Sequence, residues 1–175
     1  LKDSRILSGT ISGFLPVTGT NRSDNTFWPE GVQPTQENLV SLQAWRVDHD
    51  YVKTLGMTIR DGRDFSREFR SDTAAVILNQ SALNLFGITE NPVGKSILTW
   101  GGNNAGGEID PTNFEKYTII GVMEDFHFES LRQSIAPLGV FLRRSSGLIS
   151  FRFQAENTQE VIRGLETTWS RIAPG

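Results

Sequence analysis

Hydrophobic positions along this chain come in short runs of three patterns. In the first, apolar residues fill both alternation phases, the pattern of a strand buried on both faces. Residues 38–47, with Leu39, Val40, Leu42, Ala44, Trp45 and Val47, read this way, as do residues 74–78 and 118–123. In the second, Ile149, Phe151 and Phe153 alternate with Ser150 and Arg152, which predicts a half-buried strand. In the third, Val161, Ile162, Leu165, Trp169 and Ile172 recur at helical spacing. Asn157 caps that segment, Glu160 stands at N3 and Pro174 ends it, so the pattern predicts a helix with one face packed on a sheet.

Shorter elements fill the gaps. Strands are predicted near residues 5–11, 57–60, 96–100 and 139–142. A short helix over 51–55 has Asp48 or Asp50 as its N-cap and Gly56 as its stop. A second helix over 79–86 buries Ala82, Leu83 and Phe86 and stops at Gly87. Asp61-Gly62 reads as a turn, residues 66–73 as polar exposed surface, and residues 101–113 as a hairpin connection. Residues 12–36 collect Gly, Pro, Asn, Ser and Thr and read as one long loop. Runs of strands broken by few helices predict an α+β fold. Within the loop Phe14, Leu15, Phe27 and Trp28 need cover, either from their own domain or from a ligand or partner.

The stretch that organises the chain is residues 117–132. The buried run 118–123 gives way to Glu124-Asp125-Phe126-His127-Phe128-Glu129-Ser130-Leu131. Alternation sets Asp125, His127 and Glu129 on one face and Phe126 and Phe128 on the other. A strand crossing a core thus emerges at a surface with carboxylates and one of the two histidines.

The 175 residues are 37% hydrophobic and 21% charged, the composition of a globular chain with enough length for a real core. A net charge of −3 leaves no basic stripe for phosphates, which argues against nucleic acid as a partner. The chain has no cysteine, which excludes disulfides, thiolate nucleophiles and cysteine zinc sites. Apolar runs stay near six residues, far short of the roughly 18–20 a membrane helix needs. The opening at Leu1 and the close at Ala173-Pro174-Gly175 read as cuts from a longer protein.

Three catalytic patterns fail on spacing. Gly87 to Ser96 resembles a phosphate-binding loop, but six residues separate Gly87 from Gly94-Lys95-Ser96 where four are needed, and a helix precedes it instead of a strand. Asp48, His49, Asp50, Asp125, His127 and Glu129 supply oxygen and imidazole ligands of the kind zinc or manganese takes, without metal-site spacing. No Gly-x-Ser-x-Gly elbow is present. Neither a cofactor nor a catalytic residue is expected.

Five stretches in register resemble the extracytoplasmic domain of MacB/FtsX-type ABC transporter permeases, in a style similar to Bacteroidetes-like versions. They are residues 47–57 (VDHDYVKTLGM), 61–65 (DGRDF), 75–79 with Ala82, 91–95 (NPVGK), and 117–122 with 125–132 (DFHFESLR). The resemblance implies a periplasmic domain of an inner-membrane protein. A porter-like βαβ-type part would be built from residues 1–61 and 136–175, with a smaller strand-rich part, residues 62–135, inserted between them. It implies a non-catalytic, mechanical role in export or mechanotransmission. Partners would be a cognate ATP-binding subunit or domain, a second permease copy and a periplasmic substrate or partner protein. Asp125, His127, Phe128, Ser130 and Leu131 form its structural signature, in which Asp125 and His127 hold the turn back to the porter-like part by hydrogen bonds. The rival readings are a free-standing periplasmic binding module, resting on the aromatic loop, and a metal-dependent enzyme using Asp125 and His127.

Overall fold

The structure, a computed structural model, describes residues 4–15, 24–102, 112–128, 134–145, 147–154, 156 and 158–172. Its elements run β1 (Ile6–Ser12), β2 (Asp24–Pro29), β3 (Val40–Val47), α1 (Tyr51–Leu55), β4 (Ile59–Gly62), β5 (Ala75–Asn79), α2 (Gln80–Leu85), β6 (Ser96–Trp100), β7 (Phe114–Met123), β8 (Leu138–Leu142), β9 (Leu148–Phe153) and α3 (Thr158–Ile172). A 3-10 turn, Arg70–Ala74, leads into β5. The fold is α+β, as the order of strands and helices predicts.

One sheet holds the strands in the order β2-β6-β7-β5-β8-β3-β1-β9, with β4 beside β7. β2 divides its hydrogen bonds. Asp24 to Phe27 pair with Gln43 to Val40 of β3, while Trp28 and Pro29 pair with Leu98 and Ile97 of β6. That change of partner bends the sheet into a closed ring of β2, β6, β7, β5, β8 and β3, from which β1 and β9 extend as a flap. Closure removes two sheet edges that would otherwise be open to pairing.

Alternation then sorts the residues of the ring. Phe27, Val40, Leu42, Ala44, Val76, Leu78, Ile97, Tyr117, Ile119 and Phe141 come from all six ring strands and form the inner core. Ala82, Leu83 and Phe86 of α2, with Ile88, close one end of it. The outer face of β3, β5, β7 and β8 makes a second core from Trp45, Val47, Ala75, Ile77, Met123, Leu138 and Val140. It is covered by Phe14, Phe65, Phe128 and α1.

Local chemistry explains the junctions. Gly56 ends α1 at φ 69°, the left-handed cap that glycine adopts without strain. Gly62 pairs with Gly121 at φ 75°, and a β-carbon on it would lie 2.3 Å from the Ile120 carbonyl. Asp61-Gly62 is therefore the end of a strand pressed against β7, and not the turn its composition predicts. Asn79, fully buried, ends β5. Its Oδ1 accepts from Ala82 N at 3.0 Å and Leu138 N at 2.8 Å, and its Nδ2 donates to the Ala136 carbonyl at 3.0 Å.

Three further expectations are corrected. The predicted loop 12–36 contains β2, whose Phe27 and Trp28 are 2% and 1% exposed. Asn, Asp and Pro around Thr-Phe-Trp hide the strand, which exists because two neighbours supply its hydrogen bonds. The polar stretch 66–73 is not all exposed, since Asp72 is 0% exposed. Arg63 grips its two oxygens at 2.8 and 2.7 Å and Ser66 N donates to it at 2.9 Å. Finally, α3 does not bury its whole apolar stripe. Val161 is buried, but Trp169 is 59% and Ile172 72% exposed, because the helix runs on beyond its contact at Val161. Asn157 and residues 103–111 lie outside the described residues.

Two measurements test this scheme. Burial disfavours the Asp72 carboxylate, yet the Arg63 guanidinium and the Ser66 N–H hold its pKa below the ordinary value. Its contribution is present above the unfolded-chain value of about 3.9 and is lost as the pH falls through the lower folded value. Asp72→Asn should lower unfolding stability by about 3 kcal/mol at pH 7 and flatten the acid limb of the stability profile. Asn79→Ala should cost about 3 kcal/mol in denaturant unfolding, since it removes a helix cap and strands the Leu138 N–H and Ala136 C=O.

Candidate functional site

Two places gather polar side chains beside buried aromatics. The first is the segment after β7. The chain leaves the outer core at Met123, and alternation continues through it. Phe126 is half-buried and Phe128 buried, while Asp125 and His127 face solvent. The aromatic pair packs edge-on against Trp45, with ring centroids 6.1 Å away for Phe126 and 4.8 Å for Phe128. Asp125 reaches the N-terminus of α2, where Oδ1 accepts from Ser81 N at 3.1 Å and Oδ2 from Ser81 Oγ at 2.8 Å. A carboxylate there satisfies a helix N–H and meets the positive end of the helix dipole. Asp125 and Asn79 thus cap the same helix, one from the segment after β7 and the other from the end of β5.

His127 makes no hydrogen bond among the described residues. In the described part of the segment Asp125 and the two phenylalanines make the contacts, while His127 is exposed. Ser130 and Leu131 lie outside the described residues.

The other acidic candidates are engaged elsewhere. Asp48 accepts from Thr10 Oγ1, from Ile11 N at 2.8 Å and from Asp50 N at 3.1 Å, tying β1 to the start of α1. Asp50 precedes α1 but makes no cap bond, because Arg67 holds its carboxylate at 2.7 and 3.3 Å. That hydrogen-bonded guanidinium keeps the Asp50 pKa low. Among the described residues no group of three or more His, Asp or Glu side chains converges on a point a metal could occupy. The Gly87–Ser96 stretch is a turn in which Lys95 Nζ bonds the Glu90 carbonyl at 2.6 Å.

The loop aromatics divide as well. Phe14 stacks on Trp45 at 4.1 Å, Phe27 stacks on Phe141 at 5.4 Å, and Trp28 sits against Trp100 at 4.6 Å. All three pin their segments to the domain's own core, and Phe27 also lines the cavity at the end of the ring. Leu15 is half-buried and borders a cleft of about 360 Å³ with Leu55, Met57 and Phe126.

The second place is the end of the ring opposite α2. There the inner core opens into a cavity of about 300 Å³ lined by Asn25, Arg46, Thr99, Glu115, Tyr117 and Arg143, among others. Arg143 is its corner post. It donates to the Thr73 carbonyl at 2.9 Å, to Tyr117 Oη at 2.7 Å and to Glu115 at 3.2 Å, while Tyr117 Oη also bonds Glu115. Burial, with the Glu115 carboxylate beside it, pushes the Tyr117 phenol up, so it stays a neutral donor. Sequence pattern missed this group, because its members are scattered from residue 25 to 143 and only ring closure brings them together.

Comparison with known proteins places the whole arrangement. Residues 5–167 match the family described as the MacB-like periplasmic core domain. The periplasmic region of MacB from Actinobacillus actinomycetemcomitans superposes with a TM-score of 0.62 at 16% identity, covering 98% of this chain and 69% of that one. A domain of a protein described as a permease from Porphyromonas gingivalis gives 0.60 at 13% identity, over 95% and 70%. The extracellular domain of YknZ, a noncanonic ABC-type transporter from Gram-positive bacteria, gives 0.57 at 12%, over 90% and 71%. No curated protein matches the chain by sequence. With the match running through nearly every element of the sheet, the chain belongs to the MacB-like periplasmic core domain family.

Proposed function

We propose that this chain is the extracytoplasmic part of an inner-membrane ABC permease of the export or mechanotransmission type. In that reading it does no chemistry. Cytoplasmic ATP hydrolysis, in a cognate ATP-binding subunit or domain, moves the membrane part. The domain passes the motion to a periplasmic substrate or partner protein, with a second permease copy alongside. The observation that carries the reading is the family match over residues 5–167. The site chemistry agrees with it. Asp125 is committed to the cap of α2, and His127 stands apart from it with no hydrogen-bond partner among the described residues, so the two are not poised as an acid–base pair.

The division into a porter-like part, residues 1–61 with 136–175, and an inserted part, residues 62–135, belongs to the same proposal. Strand order supports it. β6, β7 and β5 of the middle segment are contiguous in the sheet, as are β8, β3, β1 and β9 of the two outer segments. β2 and β4 are exceptions, since β2 reaches across to pair with β6, and Ile59 and Asp61 of β4 pair with β7.

The native protein decides the permease reading. An antibody to this domain should detect a band far larger than 19.5 kDa that leaves the membrane only in detergent. A detergent-independent band near that mass would point to a free-standing module instead. The scaffold role of the signature has its own check. Asp125→Ala should cost about 1 kcal/mol in unfolding, and His127→Ala should stay within about 0.5 kcal/mol of wild type. A His127→Ala protein that melts normally but abolishes the parent's activity would make His127 a working residue.

A further inference from the structure

The ring end opposite α2 carries an arrangement that packing alone does not require. β3 presents Val40, Leu42 and Ala44 to the inner core, and the next residue of the same phase is Arg46. Arg46 is exposed at the mouth of the ring, where its guanidinium is accessible to water or to an anion. Arg143, across the cavity, has Glu115, Tyr117 and the Thr73 carbonyl. The Arg46 guanidinium has no hydrogen-bond or ion-pair partner among the described residues. Among the described residues the wall therefore holds two guanidinium groups against one carboxylate. Its floor is a set of fixed rings, with Phe27 stacked on Phe141 and Tyr117 edge-on to Phe141 at 4.8 Å. Thr99 closes the seam beside it by donating to the Thr26 carbonyl at 2.8 Å, where β2 and β6 no longer pair through their backbones.

We infer that this mouth is a binding site for a carboxylate carried on a small apolar body. The carboxylate lies on Arg46 in the forked geometry that guanidinium and carboxylate share. The apolar body rests at the rim of the Phe27, Tyr117 and Phe141 rings, and Asn25 and the Arg143 side of the wall orient it. A cavity of about 300 Å³ has room for about ten water-sized groups at ~30 Å³ each. That is the size of one amino-acid residue, so the ligand is either a small free acid or the C-terminal residue of a peptide whose remaining chain leaves through the mouth. Barrel mouths with few convergent polar groups are a recurrent place for such sites. The inference stands on the ring geometry and does not depend on the permease reading.

The test uses the 175-residue chain. N-acetyl-phenylalanine and its uncharged amide are titrated separately, followed by NMR shifts of the Arg46, Thr99 and Tyr117 amides. The acid should saturate shifts at these positions and bind about tenfold more tightly than the amide. Arg46→Gln should abolish that preference while leaving the melting temperature unchanged. An acetylated tripeptide ending in phenylalanine, run beside the single residue, separates the two sources. Tighter binding of the tripeptide supports a peptide end, and weaker binding supports a free acid. Equal affinity for acid and amide, absence of saturable shifts at the mouth, or a preference that survives Arg46→Gln would each overturn the inference. So would a marked fall in the melting temperature of Arg46→Gln, which would mean that the guanidinium is already paired within the chain.

Discussion

The side-chain amide of Asn79 fixes the place where three elements meet. It lies at the end of β5 with no access to water, so each of its polar atoms must find a partner in the protein. One oxygen serves both the first turn of α2 and the entry of β8, and the nitrogen holds the carbonyl that precedes β8. The start of α2 is thereby locked to the strand that returns from the middle of the chain. With α2 locked, Ala82, Leu83 and Phe86 cap the inner core, and β8 is set between β5 and β3. Asp125 adds a second anchor to the same helix end from the segment after β7.

From that junction the two ends of the ring acquire different characters. The α2 end is closed by apolar side chains. Among the described residues the far end has no helix, and its rim consists of charged and hydrogen-bonding groups gathered from β2, β3, β6, β7 and the end of β8. The flap of β1 and β9 lies outside the ring and carries apolar residues into solvent at Leu7, Ile11 and Ile149. α3 does the same at Trp169 and Ile172. A continuous sheet joining these regions is a stiff connection, which suits a domain whose proposed work is to pass on motion and not to perform chemistry.

The parts that were legible in advance are those decided by neighbours in the chain. β3, β5 and β7 were readable because apolar residues fill both phases. Gly56 was readable as a helix stop, because a left-handed stop is local geometry. Asp125 and Phe128 were singled out as members of one segment. Its alternation survives in the structure even where the strand does not, since Phe126 and Phe128 are drawn to Trp45. The burial of Asp72 was not legible. Nothing in Arg70-Ser71-Asp72-Thr73 says that Arg63 will reach back for it. β2 was hidden for a similar reason, since its hydrogen bonds come from two strands distant in sequence.

By itself, then, the sequence determined the α+β class, the main buried strands, the short helices and the family resemblance, because each rests on spacing within a few residues. Only the tertiary structure decided that the strands close into a ring, that the loop aromatics turn inward, that His127 stands in solvent, and that Arg46, Glu115, Tyr117 and Arg143 share one cavity. These depend on which surfaces meet after the chain has folded back on itself. Backbone groups and charges then take whichever partners geometry brings within hydrogen-bonding reach, and local pattern carries no record of that choice.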